Sequence, residues 1–105
     1  GTFTLRHQVL IDLPPKELRN VVDQSKKYIK KGIVVGFSTF EGKVGVAVGV
    51  TNELIQKYDA VELVKIASVI LGGKGGGGRK DFAQAGGTNK DKIEEAFKTL
   101  NKEIN

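Results

Sequence analysis

The residues with the clearest chemical potential lie in one stretch, Gly72-Gly73-Lys74-Gly75-Gly76-Gly77-Gly78-Arg79-Lys80-Asp81-Phe82-Ala83-Gln84-Ala85-Gly86-Gly87, which holds eight of the fourteen glycines of the chain. Glycine loses more conformational freedom on folding than any other residue, so such a concentration implies an offsetting gain. The usual gain is a backbone that takes positive φ and lies close to a ligand, with bare N–H groups directed at it. Lys74, Arg79 and Lys80 place positive charge beside those groups. The stretch therefore reads as an anion-binding loop.

Other chemistries find little material. Gly73, Gly75 and Gly78 spell a literal G-x-G-x-x-G, but a dinucleotide fingerprint follows a strand and opens a helix, and this stretch follows a helical run and leads into a strand. No loop lysine is followed by Ser or Thr, so the phosphate-binding G-x-x-x-x-G-K-[ST] pattern is absent. There is no Cys, which removes disulfides, thiolate metal sites and thiol nucleophiles, and fits a reducing compartment. His7 is the only histidine and reads as structural. The carboxylates are scattered, with Glu94-Glu95 on an exposed helix face, and no nucleophile–base pair or metal cluster emerges. The expectation is a binding module without catalysis, cofactor or metal. Aromatic residues are few: Phe82 fits core packing better than base stacking, Tyr28 and Tyr58 remain open, and a multi-base stacking platform is disfavoured.

Charge points the same way without deciding the partner. The net charge is +5; residues 14–32 carry six basic and two acidic side chains, and residues 74–81 three basic and one acidic. These zones suit a polyanion and equally an ordinary solvated basic surface. No apolar run approaches the roughly 18 residues that span a bilayer, and no signal-peptide pattern is present. A cytoplasmic domain is expected, excised from a longer chain, with Gly1 as a cloning remnant.

The elements that must hold the glycine stretch read as follows. At 105 residues the chain makes one domain, 1–105. Phe3 to Leu13 is strand-like, and Pro14-Pro15 opens a helix with Leu18, Val21, Val22, Ser25 and Ile29 on one face and Gly32 as its C-cap. Ile33 to Phe40 and Lys43 to Thr51 flank Glu41-Gly42 as a β-hairpin. In the second strand Val44, Val46, Val48 and Val50 share a core face. Gly45, Ala47 and Gly49 share the other, which admits a helix or a ligand, the helix being favoured. Asn52 caps a short helix to about Tyr58, and Ala60 to Leu71 is a helix apolar on most sides, hence buried. Asp81 to Ala85 is a short strand. Thr88 and Asp91 form a capping box for a last helix with Ile93, Ala96, Phe97, Leu100 and Ile104 inward. The order β-α-β-β-α-α-β-α predicts an α/β (α+β) two-layer domain with a mixed sheet.

The glycine stretch closely resembles the C-terminal domain of bacterial alanyl-tRNA synthetases, and the likeness covers most of the chain. Asp12-Leu13 with Lys16-Glu17-Leu18-Arg19, Val48-Gly49-Val50-Thr51 and Ala60-Val61-Glu62-Leu63-Val64-Lys65 share the family's pattern. The second glycine cluster has four members where three are common, and Lys80 and Phe82 stand where Pro and Met are frequent. The resemblance implies a domain that binds the elbow of tRNA, where D and T loops meet, and so helps aminoacylation and editing. Its contact residues would be Gly72, Gly73, Lys74, Gly75, Gly76, Gly77, Gly78, Arg79, Lys80 and Gln84. The resemblance extends to domains attached to DHH-type phosphoesterases and single-strand exonucleases. In those the glycine run is usually followed by His, whereas Arg79-Lys80 stands here. A dimerisation module is the third reading, since related synthetases pair through C-terminal segments.

Overall fold

The computed structural model describes residues 3–104; Gly1 lies outside them. Five strands and three helices follow in the order β1 (Thr4–Ile11), α1 (Pro15–Lys27), β2 (Gly32–Phe40), β3 (Lys43–Val50), α2 (Ala60–Ile70), β4 (Gly75–Gly78), β5 (Phe82–Gly87) and α3 (Ile93–Ile104), with single 3-10 turns at Asn52–Leu54 and Lys90–Lys92. The sheet is mixed, ordered β1-β2-β3-β5-β4, with only β1–β2 parallel.

The β2–β3 hairpin forms as the sequence predicts. Glu41 and Gly42 both take positive φ, 50° and 79°, the signature of the two-residue turn whose twist matches its strands. The pleat then sorts the two faces of β3. Val44, Val46, Val48 and Val50 join Ile33, Val35 and Phe37 beneath α2 and α3 in the main core. Gly45, Ala47 and Gly49 face α1, whose Leu18 and Val22, with Ile29 just past its end, bury against Val34, Ala47 and Phe82 in a second, smaller core. The small face is thus a helix seat. A Cβ at Gly49 would stand 3.0 Å from a Val22 methyl, and one at Gly36 would stand 2.9 Å from the other.

The α+β class with a mixed sheet stands. The helices, however, divide between the two faces of the sheet, so the expected single helical layer becomes two. Other expectations are corrected by hydrogen bonding. Gly32 does not cap α1, which ends at Lys27 with Tyr28 as its cap; Gly32 opens β2, where a Cβ would strike the Thr4 carbonyl. Asn52 starts only a 3-10 turn. Thr51 holds the cap position without capping, because its Oγ1 accepts from the Gly32 N–H at 3.0 Å. Thr88 and Asp91 form no capping box: the Thr88 and Asn89 N–H groups both donate to the Leu71 carbonyl, which ties this segment to the end of α2. Helix α2 is capped instead by Asp59, whose carboxylate accepts from the Val61 N–H at 2.9 Å. It is not buried all round, since Val69 is 65% exposed. Tyr58 donates its hydroxyl to the Ile104 carbonyl at 2.7 Å and pins the end of α3, while Tyr28 is exposed.

Candidate nucleic-acid interface

The glycine stretch is a built hairpin rather than a loop. Helix α2 ends in a Schellman arrangement: Gly72 takes φ 81°, its N–H donates to the Val69 carbonyl, and the Gly73 N–H donates to the Ser68 carbonyl. Ser68, fully buried, then staples the exit. Its Oγ donates to the Gly86 carbonyl at 2.7 Å and accepts from the Gly75 N–H at 3.1 Å. Gly75 to Gly78 run as β4, antiparallel to β5 in the register Gly75↔Gly86 to Gly78↔Ala83. The close approach that glycine permits is made to protein. A Cβ at Gly73 would strike the Gly86 carbonyl, and one at Gly76 would strike the Gln84 carbonyl and stand 2.5 Å from the Ala85 Cβ. Gly77 alone among the four β4 residues meets nothing within 4 Å.

The tip is equally tied down. Arg79 and Phe82 exchange both backbone hydrogen bonds across the turn at Lys80-Asp81. The Lys80 carbonyl accepts from Ala60 N–H at the start of α2, and the Asp81 carbonyl accepts from Val50 N–H and from Lys26 Nζ. The Asp81 carboxylate lies 3.4 Å from Arg79 Nε and 3.8 Å from Lys26 Nζ.

What remains free is the outer edge of β4. The Arg79–Phe82 pair fixes the alternation of the ladder, which turns the N–H and C=O groups of Gly76 and Gly78 to the open side. Natural sheets normally shield such an edge with side chains, and this strand has none. Lys74 precedes it and Arg79 and Lys80 follow it, all exposed. Three of the expected contact residues face elsewhere. Gly72 and Gly73 serve the α2 cap, and Gln84 donates its amide to the Pro15 carbonyl at 2.7 Å on the α1 side.

One basic residue joins the site that the local sequence did not single out. Arg19 of α1 places its guanidinium 5.0 Å from the centre of the Phe82 ring. With Gly77, Gly78, Arg79 and Phe82 it lines a cleft of about 350 Å³ between α1 and the hairpin. Nothing in residues 15–20 signals this convergence, because it depends on α1 crossing the sheet. Two guanidiniums beside bare main chain suit a phosphate oxygen array. Phe82 itself is core, as its alternation implies, at 7% exposure.

His7 is not drawn to this site. It sits on edge strand β1, its ring stacked on Phe97 with centroids 3.7 Å apart. Among the described residues no three of His, Asp and Glu gather where a metal could bind. Among them also, no helix is long and apolar enough to cross a membrane.

Comparison with known proteins agrees with the resemblance. Residues 4–105 match the family model described as the DHHA1 domain. The crystal structure of the C-Ala domain from Aquifex aeolicus alanyl-tRNA synthetase superposes with a TM-score of 0.88 at 40% identity, covering 95% of this chain and 89% of that one. Among curated proteins, the alanine–tRNA ligase of Hyphomonas neptunium is 53% identical over 81% of the chain, and that of Parvibaculum lavamentivorans 47% identical over 92%. The chain spans 10% and 11% of those relatives' lengths. It belongs to the DHHA1 domain family, in the branch formed by the C-Ala domains of alanyl-tRNA synthetases.

Proposed function

We propose that this domain binds tRNA for an alanine–tRNA ligase, at the elbow where D and T loops meet, and so helps one tRNA serve aminoacylation and editing. The observation that carries the reading is the unshielded glycine strand β4 with Lys74, Arg79 and Lys80 at its ends and Arg19 across the cleft. Main-chain N–H groups and point charges recognise phosphate geometry, which folded tRNAs share, rather than base identity. Gly75, Gly76, Gly77 and Gly78 supply the backbone surface, and the four cations supply phosphate contacts. Gly72 and Gly73 hold the strand in place, and Gln84 lies beside it. The fragment by itself catalyses nothing and works within the cytoplasmic synthetase chain; it needs no cofactor.

Competition binding at fixed salt tests the reading. Several tRNA species are expected to bind comparably and ahead of an unstructured RNA of equal length, and disrupting the D-loop/T-loop contact should remove that preference. Replacing Lys74, Arg79 and Lys80 together by Ala should weaken tRNA binding on the order of 100-fold at low salt. It should also reduce the slope of log K against log salt by about 2–3. A strong preference for alanine-specific tRNA, or for unstructured strands, overturns it.

A further inference from the structure

A second cleft, of about 370 Å³, opens on the α1 side of the sheet just beyond the N-terminus of that helix. This size is at the small end of the roughly 300–1,000 Å³ range of ligand clefts. Its floor is set by register. Ser38 of β2, Gly45 of β3, Gly86 of β5 and Gly75 of β4 stand in one cross-strand row, so three adjacent strands present no side chain there. The row runs into the glycine edge strand. Phe40 and Lys43 stand at the hairpin end of the cleft, and Gln84 stands toward α1.

Ser38 makes this more than a gap left by small residues. Its side chain lines the cleft and is 1% exposed, yet its Oγ has no hydrogen-bond partner. Buried hydroxyls are nearly always paired, and one without a protein partner in a cleft wall is available to a ligand. The nearest candidate change, a Cβ on Gly45, would stand 3.2 Å from that Oγ. Gln84 commits its amide nitrogen to the Pro15 carbonyl, which leaves the side-chain oxygen as its acceptor toward the cleft it lines. A floor of bare glycine backbone, one aromatic ring, one hydroxyl, one amide oxygen and a cation at the rim match a single nucleotide: ring face, ring edge and phosphate.

We infer that this cleft takes one unstacked nucleobase of the bound RNA, its edge hydrogen-bonded by Ser38 and Gln84 and its phosphate held near Lys43. The inference rests on the RNA-binding reading and adds a base pocket to a surface otherwise made for backbone. It also explains why one aromatic suffices, since one base rather than a run is stacked.

The test uses the 105-residue chain labelled with 15N, titrated with each of the four ribonucleoside 5′-monophosphates, with ribose 5-phosphate, and with tRNA. Nucleotides and tRNA should shift the amide signals of Ser38, Gly45 and Gly86, and ribose 5-phosphate should leave them in place. Gly86→Leu fills the floor from a position that accepts a Cβ, which there meets only the Val44 carbonyl, at 3.5 Å. It should remove the nucleotide shifts and weaken tRNA binding about tenfold. Ser38→Ala, which alters no volume of consequence, should weaken nucleotide binding several-fold and covers the case of a misfolded Gly86→Leu. Wild-type tRNA binding with unmoved Ser38, Gly45 and Gly86 signals overturns the base pocket and leaves the RNA reading intact. Absence of tRNA binding by the wild-type chain overturns the RNA reading and the pocket together.

Discussion

Glycine is used in opposite ways on two strands of the same sheet. On β2 and β3, Gly36 and Gly49 lie under α1, and the space they leave is filled by Leu18, Val22 and the Lys26 stem. On β4, at the edge, the glycines leave a strand whose outer side no element among the described residues covers. Similar composition therefore yields a helix seat in one place and a bare backbone in the other. The difference is position in the sheet: an inner strand has elements on its faces, and an edge strand has a free ladder side. Even within the edge hairpin the roles divide. Gly73 and Gly76 are small because β5 presses on them, and Gly77 is small with nothing pressing on it.

That division can be broken in steps. The largest loss is expected from Gly73→Ala, since a Cβ there meets the rigid Gly86 carbonyl rather than a movable side chain. Destabilisation on the order of 3 kcal/mol should follow, read as a drop in melting temperature of roughly 15 °C. A melting temperature within a few degrees of wild type would show that the hairpin relaxes freely. Next comes the helix seat. Gly36→Val would crowd Val22 and Leu18 and should cost about 2 kcal/mol through overpacking, while RNA affinity of the folded protein stays unchanged. Denaturant midpoints and binding at a temperature well below melting separate the two effects. An affinity loss in the folded variant would show that the helix seat and the edge are coupled.

Ser68→Ala removes the hydroxyl that links α2 to Gly75 and Gly86, and should cost about 1–2 kcal/mol. Faster amide hydrogen exchange across Gly75–Gly78 should accompany it, since the staple holds that end of β4. Unaltered exchange would assign the order of β4 to the ladder alone. The smallest stability effect is expected at Gly77. Gly77→Ala meets no neighbour and should leave stability within about 0.5 kcal/mol, or raise it slightly by reducing the freedom of the unfolded chain. Its RNA affinity should fall several-fold if bare backbone is what the ligand approaches, and equal affinity would mean that the cations carry the contact.

Much of the fold is legible in the sequence, and the departures from it have a common cause. The β2–β3 hairpin was readable because Glu41-Gly42 and the flanking alternation are local signals, and the apolar stripe of α3 because its spacing is helical. Asn52 does not cap because the turn begins at it, with Thr51 in the cap position and its hydroxyl engaged by the distant Gly32 N–H, and Thr88–Asp91 form no box because the Thr88 N–H that Asp91 would accept is engaged by the Leu71 carbonyl. The glycine stretch read as a loop because four consecutive glycines carry no strand propensity. Pairing with β5 overrides that, through backbone groups that propensity does not see.

The sequence by itself determined the family, the sheet-and-helix alternation, the Val-lined core face and the basic character beside the glycines, since each rests on residue type and short spacing. Only the tertiary structure decided that Gly75–Gly78 form an edge strand, that Arg19 reaches it from α1, that Gln84 turns toward Pro15, and that Ser38, Gly45, Gly86 and Gly75 align into one row. These depend on strand order and register, which bring together residues up to 69 positions apart. Contacts at that separation are fixed by how the faces bury, not by any neighbour along the chain.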